Sequence, residues 1–244
     1  MIRRLSASIS AVNDLVFPRS CVSCGGLPEE NTFRHLCARC VGQIDFITGP
    51  RCSTCGHPFY GEVIGERMCP HCEGLVPAFN RGCTAVLCRG VARALIHELK
   101  YRRGVYVMND IEAIFARCTE LIEAVRGATL VPVPLHPRKY RERGYNQSEL
   151  IAEALTRAAG NSAEIAHLLE RSVDTPSQTA FDRRTRLANL KNAFALRSGG
   201  AINPDYHYVL VDDVFTTGST LNSCARVLRR AGCLNLDVVT FGHG

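Results

Sequence analysis

Tryptophan is absent from this 244-residue chain, Met occurs three times, and aromatic residues make up only 7% of it. So few rings weaken a reading as a base-stacking platform, although Phe33, Phe59, Tyr60 and Tyr101 remain available. No apolar run approaches the roughly 20 residues that a membrane-spanning helix needs, so no membrane insertion is expected. The opening stretch reads as a poor signal peptide. The apolar stretch of MIRRLSASISAVNDLVFP is short and is broken by Ser10, Asn13 and Asp14. The expected location is therefore the cytoplasm, where thiols stay reduced and disulfide scaffolds are rare. A composition of 46% hydrophobic and 21% charged residues excludes a wholly disordered or collagen-like chain. Against these absences stand 13 Cys and a formal net charge of +6.

Eight of the 13 Cys fall between Cys21 and Cys72, all in CxxC pairs: Cys21/Cys24, Cys37/Cys40, Cys52/Cys55 and Cys69/Cys72. One CxxC turn lets two thiolates converge on an ion, and two turns complete a tetrahedral site. Four pairs predict two four-thiolate sites, one structural zinc each, with an iron–sulfur cluster or a redox role as the competing readings. The pairs can combine sequentially, alternately or nested, and sequential pairing, giving two ribbons in tandem, is preferred. Gly and Pro punctuate this stretch and large apolar residues are few, so metal is expected to supply folding energy. His35, His57 and His71 read as exposed loop residues. Cys83, Cys88, Cys118, Cys224 and Cys233 lie among apolar neighbours and read as small core residues.

From about residue 83 strands and helices alternate. Residues 83–87 read as a strand, 91–101 as an amphipathic helix, and 106–126 as one longer helix. Residues 129–134 form a strand, Asn146 caps a helix ended by Gly160, and strand 208–214 precedes helix 219–232 and strand 236–241. The expectation is an α/β domain over 81–244 with a mostly parallel sheet and flanking helices, preceded by a double zinc ribbon over 1–80. In such sheets ligands bind beyond the C-terminal strand ends.

VLVDDVFTTGST (209–220) brings a buried strand to that edge. Asp212 and Asp213 sit at the ligand face, and a helix begins near Ser219. The hydroxyls of Thr216, Thr217, Ser219 and Thr220 with the helix N-terminus make a phosphate cradle, and Gly218 lets the backbone approach a ligand. Carboxylates for vicinal hydroxyls beside a phosphate cradle suit a sugar phosphate. The lysine of GxxxxGK[ST] is absent, which excludes a Walker A loop. The motif resembles the 5-phosphoribosyl-1-pyrophosphate (PRPP) binding motif of type I phosphoribosyltransferases. That resemblance implies that Asp212 and Asp213 contact the ribose and that Thr216, Thr217, Gly218, Ser219 and Thr220 hold the 5′-phosphate.

VPVPLHPRKYRERGYNQ (131–147) also follows a strand and carries Arg138, Lys139, Arg141 and Arg143 against Glu142. A cluster this basic beside a phosphate cradle suits pyrophosphate plus magnesium. It corresponds to the pyrophosphate loop of the resembled family, with Arg138, Lys139, Arg143 and Gly144 in that role. The polar, Arg-rich segment 175–196 reads in its first half as a lid that excludes water, with Gln178 and Arg183 reaching the ligand. The order of the Cys pairs, HELKYRR, the basic loop, TPSQT and VLVDDVFTTGST is similar to that of the ComF (ComFC) family of competence-associated bacterial proteins. That resemblance implies a cytoplasmic factor handling single-stranded DNA in natural transformation, with PRPP or ribose 5-phosphate and Mg²⁺ as ligands and a DNA-uptake helicase as a partner. It also places Lys100 and Tyr101 near the ligand.

The alternative is a phosphoribosyltransferase of nucleotide metabolism, in which a nitrogenous acceptor displaces pyrophosphate at the anomeric carbon. A glutamine-dependent amidotransferase is excluded, because it needs an N-terminal nucleophilic Cys and the first Cys here is Cys21. Charge separates the two halves. Residues 1–80 are neutral and 81–244 carry the whole +6. Eight thiolates around two zinc ions make the first half acidic, so a nucleic acid is expected to prefer the second.

Overall fold

The computed structural model describes residues 19–29, 32–61, 68–171 and 193–244. Five parallel strands form the sheet: β1 (Gly82–Leu87), β2 (Thr129–Pro132), β3 (Glu164–Ile165), β6 (His207–Phe215) and β7 (Asn235–His243), in the order β1-β7-β6-β2-β3. A separate antiparallel pair, β4 (Leu169–Arg171) and β5 (Phe194–Leu196), stands beside it. The helices are α1 (Ala38–Val41), α2 (Gly90–Tyr101), α3 (Met108–Phe115), α4 (Thr119–Val125), α5 (Pro137–Arg143), α6 (Gln147–Ala158) and α7 (Ser219–Arg230). Among the described residues no helix is long and apolar enough to cross a membrane.

The strands are covered on both faces. Val209 and Val211 of β6, with Val239 and Phe241 of β7, join a core built with α2, α3, α4 and α6. Leu210 of β6 and Val238 of β7 join a second core built with α7. Alternation along the strands therefore assigns the two cores to opposite faces.

The Cys-rich segment is divided the same way. Cys21, Cys37, Cys40, Phe33, Leu36 and Ile44 belong to the first core, whereas Cys52, Cys55, Cys69, Cys72, Leu75 and Phe79 belong to the second. Each ribbon thus seats its few large apolar residues against the sheet and borrows a core that it could not build alone.

The single helix expected over 106–126 is two helices. Residues Val105–Val107 form a 3₁₀ turn, α3 ends at Phe115, and Cys118 leaves helical geometry at φ −103°, ψ 75° before α4 begins. The break gives the two apolar stripes different targets, since α3 packs on α6 and α4 on β1.

Candidate functional site

The eight paired thiols form two sets, Cys21/Cys24/Cys37/Cys40 and Cys52/Cys55/Cys69/Cys72, each with its four sulfurs within 4.8 Å of one another. Pairing is therefore sequential. Sulfur–sulfur distances of 3.7 Å (Cys24–Cys37), 3.9 Å (Cys52–Cys72) and 3.4 Å (Cys55–Cys69) match the edge of about 3.8 Å expected for a tetrahedron with Zn–S near 2.3 Å. Two structural zinc ions fit these sets. None of the three histidines belongs to either set. Only His71 is exposed; His35 and His57 are half-buried, which corrects their reading as surface residues. His35 Nδ1 lies 3.1 Å from the buried carboxylate of Asp110, which also accepts the backbone N–H groups of Arg34 and His35. The remaining five Cys are core or near-core residues. Burial pushes the Cys118 thiol up to about 12 and that of Cys224 well above its usual value, so neither is a nucleophile at neutral pH.

Buried β6 delivers Asp212 and Asp213 to the C-terminal edge of the sheet. The two carboxylates differ. Asp213 is 4% exposed and holds Lys100 Nζ at 2.9 Å from Oδ1 and 2.8 Å from Oδ2. Lys100 comes from the last turn of α2. Burial of Lys100 opposes its charge, but the charge and hydrogen bond of Asp213 prevail and raise its pKa. Asp212 accepts from Ser148 Oγ at 2.8 Å and from the Asp213 backbone N–H at 2.9 Å, both at Oδ1. Burial first, and the adjacent negative Asp213 second, push Asp212 up to about 7.

The loop after β6 turns at Gly218 with φ +68°. A Cβ there would lie 2.5 Å from Phe215 Cζ and 3.1 Å from Leu75 Cδ2, so Gly is required by conformation and by close packing inside the protein. The Thr217 and Ser219 hydroxyls bond each other at 2.9 Å. Thr216 and Thr220 instead line a cleft of about 720 Å³ that also contains Lys100, Lys139, Arg143 and Asp212.

The expected basic loop is largely helical. After Pro137 the chain forms α5, whose N-terminus His136 caps by accepting the Arg138 N–H, and Gly144 ends it at φ +89°. Lys139 and Arg143 face the cleft. Arg138 reaches along its own helix to Glu142 at 3.0 Å. Arg143 donates to Gln147 Oε1, a short contact that ties α5 to the first turn of α6. Gln178 and Arg183 lie outside the described residues.

Sequence reading passed over Ser148 and Gln147, which the site uses, and Arg171, which lines the cleft. A signal for the first two was present. Asn146 caps α6 by accepting the Ser148 N–H at 3.2 Å while donating to Val133 O at 3.0 Å. That fixes the first turn of α6 at the sheet edge, next to Asp212.

The fold and site together define a double zinc ribbon joined to an α/β domain with a mostly parallel sheet. Residues 12–73 match the family model described as "Double zinc ribbon domain". The chain is 32% identical over 212 residues to "DNA utilization protein YhgH" of Salmonella typhi, covering 83% of this chain and 86% of that protein. It is 28% identical over 228 residues to "Competence protein F" of Haemophilus influenzae, covering 85% and 96%. A solved hypoxanthine phosphoribosyltransferase from Staphylococcus aureus aligns over 55% of this chain and 62% of that one, at 18% identity and a TM-score of 0.34. The chain belongs to the competence protein F (ComF) family.

Proposed function

We propose that this protein handles single-stranded DNA in the cytoplasm during natural transformation, together with a DNA-uptake helicase, and that its cleft holds the ribosyl phosphate of PRPP or ribose 5-phosphate. The observation that carries the ligand is the Asp212–Asp213 pair at the end of β6, fixed by Ser148 and Lys100 beside the Thr216–Thr220 loop. Carboxylates accept hydrogen bonds from vicinal hydroxyls, and the N-terminus of the twelve-residue α7 favours an anion. Lys139 and Arg143 supply positive charge where a pyrophosphate would lie. DNA handling is supported by the names of the relatives, "Competence protein F" and "DNA utilization protein".

Magnesium fits the donor set. Both hydrogen bonds to Asp212 enter at Oδ1, and Oδ2 is a hard oxygen of the kind Mg²⁺ takes. When bound, the ion would neutralise charge on the pyrophosphate. The chain's own part is to orient the ribose through Asp212 and Asp213, to hold the 5′-phosphate in the loop, and to fix the Asp213 carboxylate through Lys100.

Isothermal titration with PRPP and Mg²⁺ tests the ligand. Binding by the parent chain and loss by at least about tenfold in Asp212→Asn/Asp213→Asn is expected, one charge-assisted contact being worth about 1.5–3 kcal/mol. No binding by the parent chain, or equal binding by the variant, removes the ribosyl-phosphate assignment. Transformation frequency in a strain carrying the same double variant, set against the deletion, tests whether the site serves DNA handling. Normal frequency would separate the two.

A further inference from the structure

Two stretches, 100–106 (KYRRGVY) and 136–147 (HPRKYRERGYNQ), hold seven Lys and Arg against one Glu, a net of +6 that equals the charge of the whole chain. They also hold four of its seven Tyr: Tyr101, Tyr106, Tyr140 and Tyr145. The fold brings these stretches together. Tyr145 donates its hydroxyl to Leu99 O in a short contact, and Arg103 Nη2 donates to Glu142 O at 3.3 Å. Tyr106 is engaged, its hydroxyl on Glu98 at 2.9 Å and its ring 4.6 Å from His35. Tyr101 and Tyr140 are 67% and 48% exposed.

We infer that a single strand of nucleic acid lies across the mouth of the cleft, with bases on Tyr101 and Tyr140 and phosphates on the surrounding cations, and that it competes there with the sugar phosphate. The competition, but not the strand surface, rests on the ribosyl-phosphate reading above.

Charge complementarity selects a polyanion, and exposed rings select one with unpaired bases, because a duplex offers no base face for stacking. An acidic peptide would use the cations and leave both rings without a role. The acids already present do not block the surface. Arg102 pairs with Glu98 and Arg138 with Glu142, each at 3.0 Å, through arginine side chains that are 67% exposed. The Arg138–Glu142 pair, exposed on both sides, is worth about 0–1 kcal/mol, so a phosphate can replace its carboxylate, whereas buried Glu98 keeps Arg102. Lys100 is different. It is held inside by Asp213 and belongs to the cleft. Competition follows from shared residues, since Tyr101, Lys139 and Arg143 of the two basic stretches also line the cleft.

The test uses zinc-loaded full chain and the fluorescence anisotropy of labelled oligo(dT). Tyr101→Ala/Tyr140→Ala should weaken binding about 30-fold, for two stacked bases at about 1 kcal/mol each. Tyr101→Phe/Tyr140→Phe, which keeps both rings, should restore it. Arg103→Ala should lower the salt slope by about one. Arg226→Ala/Arg230→Ala, which removes two exposed charges elsewhere on α7, should leave affinity near that of the parent. Saturating PRPP with Mg²⁺ should raise the apparent Kd for oligo(dT).

Undiminished binding by the Ala pair, or an equal loss from the α7 control, overturns the strand surface. Unchanged oligo(dT) affinity in the presence of PRPP that calorimetry shows to be bound overturns the competition. If calorimetry shows no PRPP binding while the Tyr variants lose DNA, the ribosyl-phosphate reading falls and the strand surface stands.

Discussion

Asp212 and Asp213 are neighbours in sequence with different surroundings: Lys100 is bonded to Asp213, and burial dominates at Asp212. The Lys100 ammonium lies against Asp213, and among the described residues Asp212 receives a hydroxyl and one backbone N–H, both at Oδ1. Burial first, and the charge of Asp213 second, raise Asp212 to about 7, above the ordinary 3.8. Because its folded value is raised, the folded state keeps a proton that the unfolded chain loses from roughly pH 4 upward. Stability should thus fall as pH rises through the window between those values. Asp212→Asn removes this loss. Urea denaturation should show it more stable than the parent by about 4 kcal/mol near pH 8, with the advantage vanishing near pH 4. An advantage independent of pH would contradict the raised value. Lys100→Gln should do the reverse, leaving the 4%-exposed Asp213 without its counter-charge at a cost of about 3–5 kcal/mol. An equilibrium unfolding curve at neutral pH reads it. The acids were legible in VLVDDV because a buried strand closes on them. The role of Ser148 was not, because it depends on α6 starting beside β6, 64 residues away in sequence.

Elements show where local pattern suffices and where it does not. The strand β6, its following loop and α7 are coded almost continuously over 207–230, so their boundaries differ from the sequence expectation by a residue or two. The basic stretch after β2 was read as a loop, yet Pro137 at the first helical position and His136 as a cap start a helix there. That helix turns Lys139 and Arg143 toward the cleft and leaves Arg138 on its own surface. Gly218 controls the geometry of the loop after β6. Gly218→Ala should cost at least about 2 kcal/mol from left-handed strain plus contact with Phe215. Chemical denaturation should show that loss, together with weakened PRPP binding in titration. Full retention of both would mean that the loop reaches its geometry without the glycine.

At the scale of the molecule, the second four-sulfur set is wired to the loop after β6. His243 Nε2 lies 3.2 Å from Cys55 Sγ. Its ring stacks on Phe215 at 5.4 Å and 17°, and Phe215 supports Gly218. From the same ribbon Leu75 reaches Gly218, and Asn222 of α7 is bracketed by the Ala78 N–H at 2.7 Å and Val76 O at 2.9 Å. Removing zinc with a chelator should therefore loosen residues 215–222 before the strand 207–211, seen as faster hydrogen exchange. It should weaken sugar-phosphate binding about tenfold. Ribbon loss with unchanged exchange at 215–222 would show that the contacts carry no coupling.

By itself the sequence determined the metal chemistry and the α/β class. Thiolates must converge in CxxC turns, and strand-to-helix alternation is written in local hydrophobic period. It also placed the two acids, because a strand's end is encoded within a few residues. Only the tertiary structure decided that the two ribbons lie on opposite faces of one sheet, that Lys100 neutralises Asp213 rather than Asp212, and that Tyr101 and Tyr140 share one basic rim. Each of these depends on contacts between residues distant in sequence, and those contacts are set by how the cores pack rather than by any local pattern.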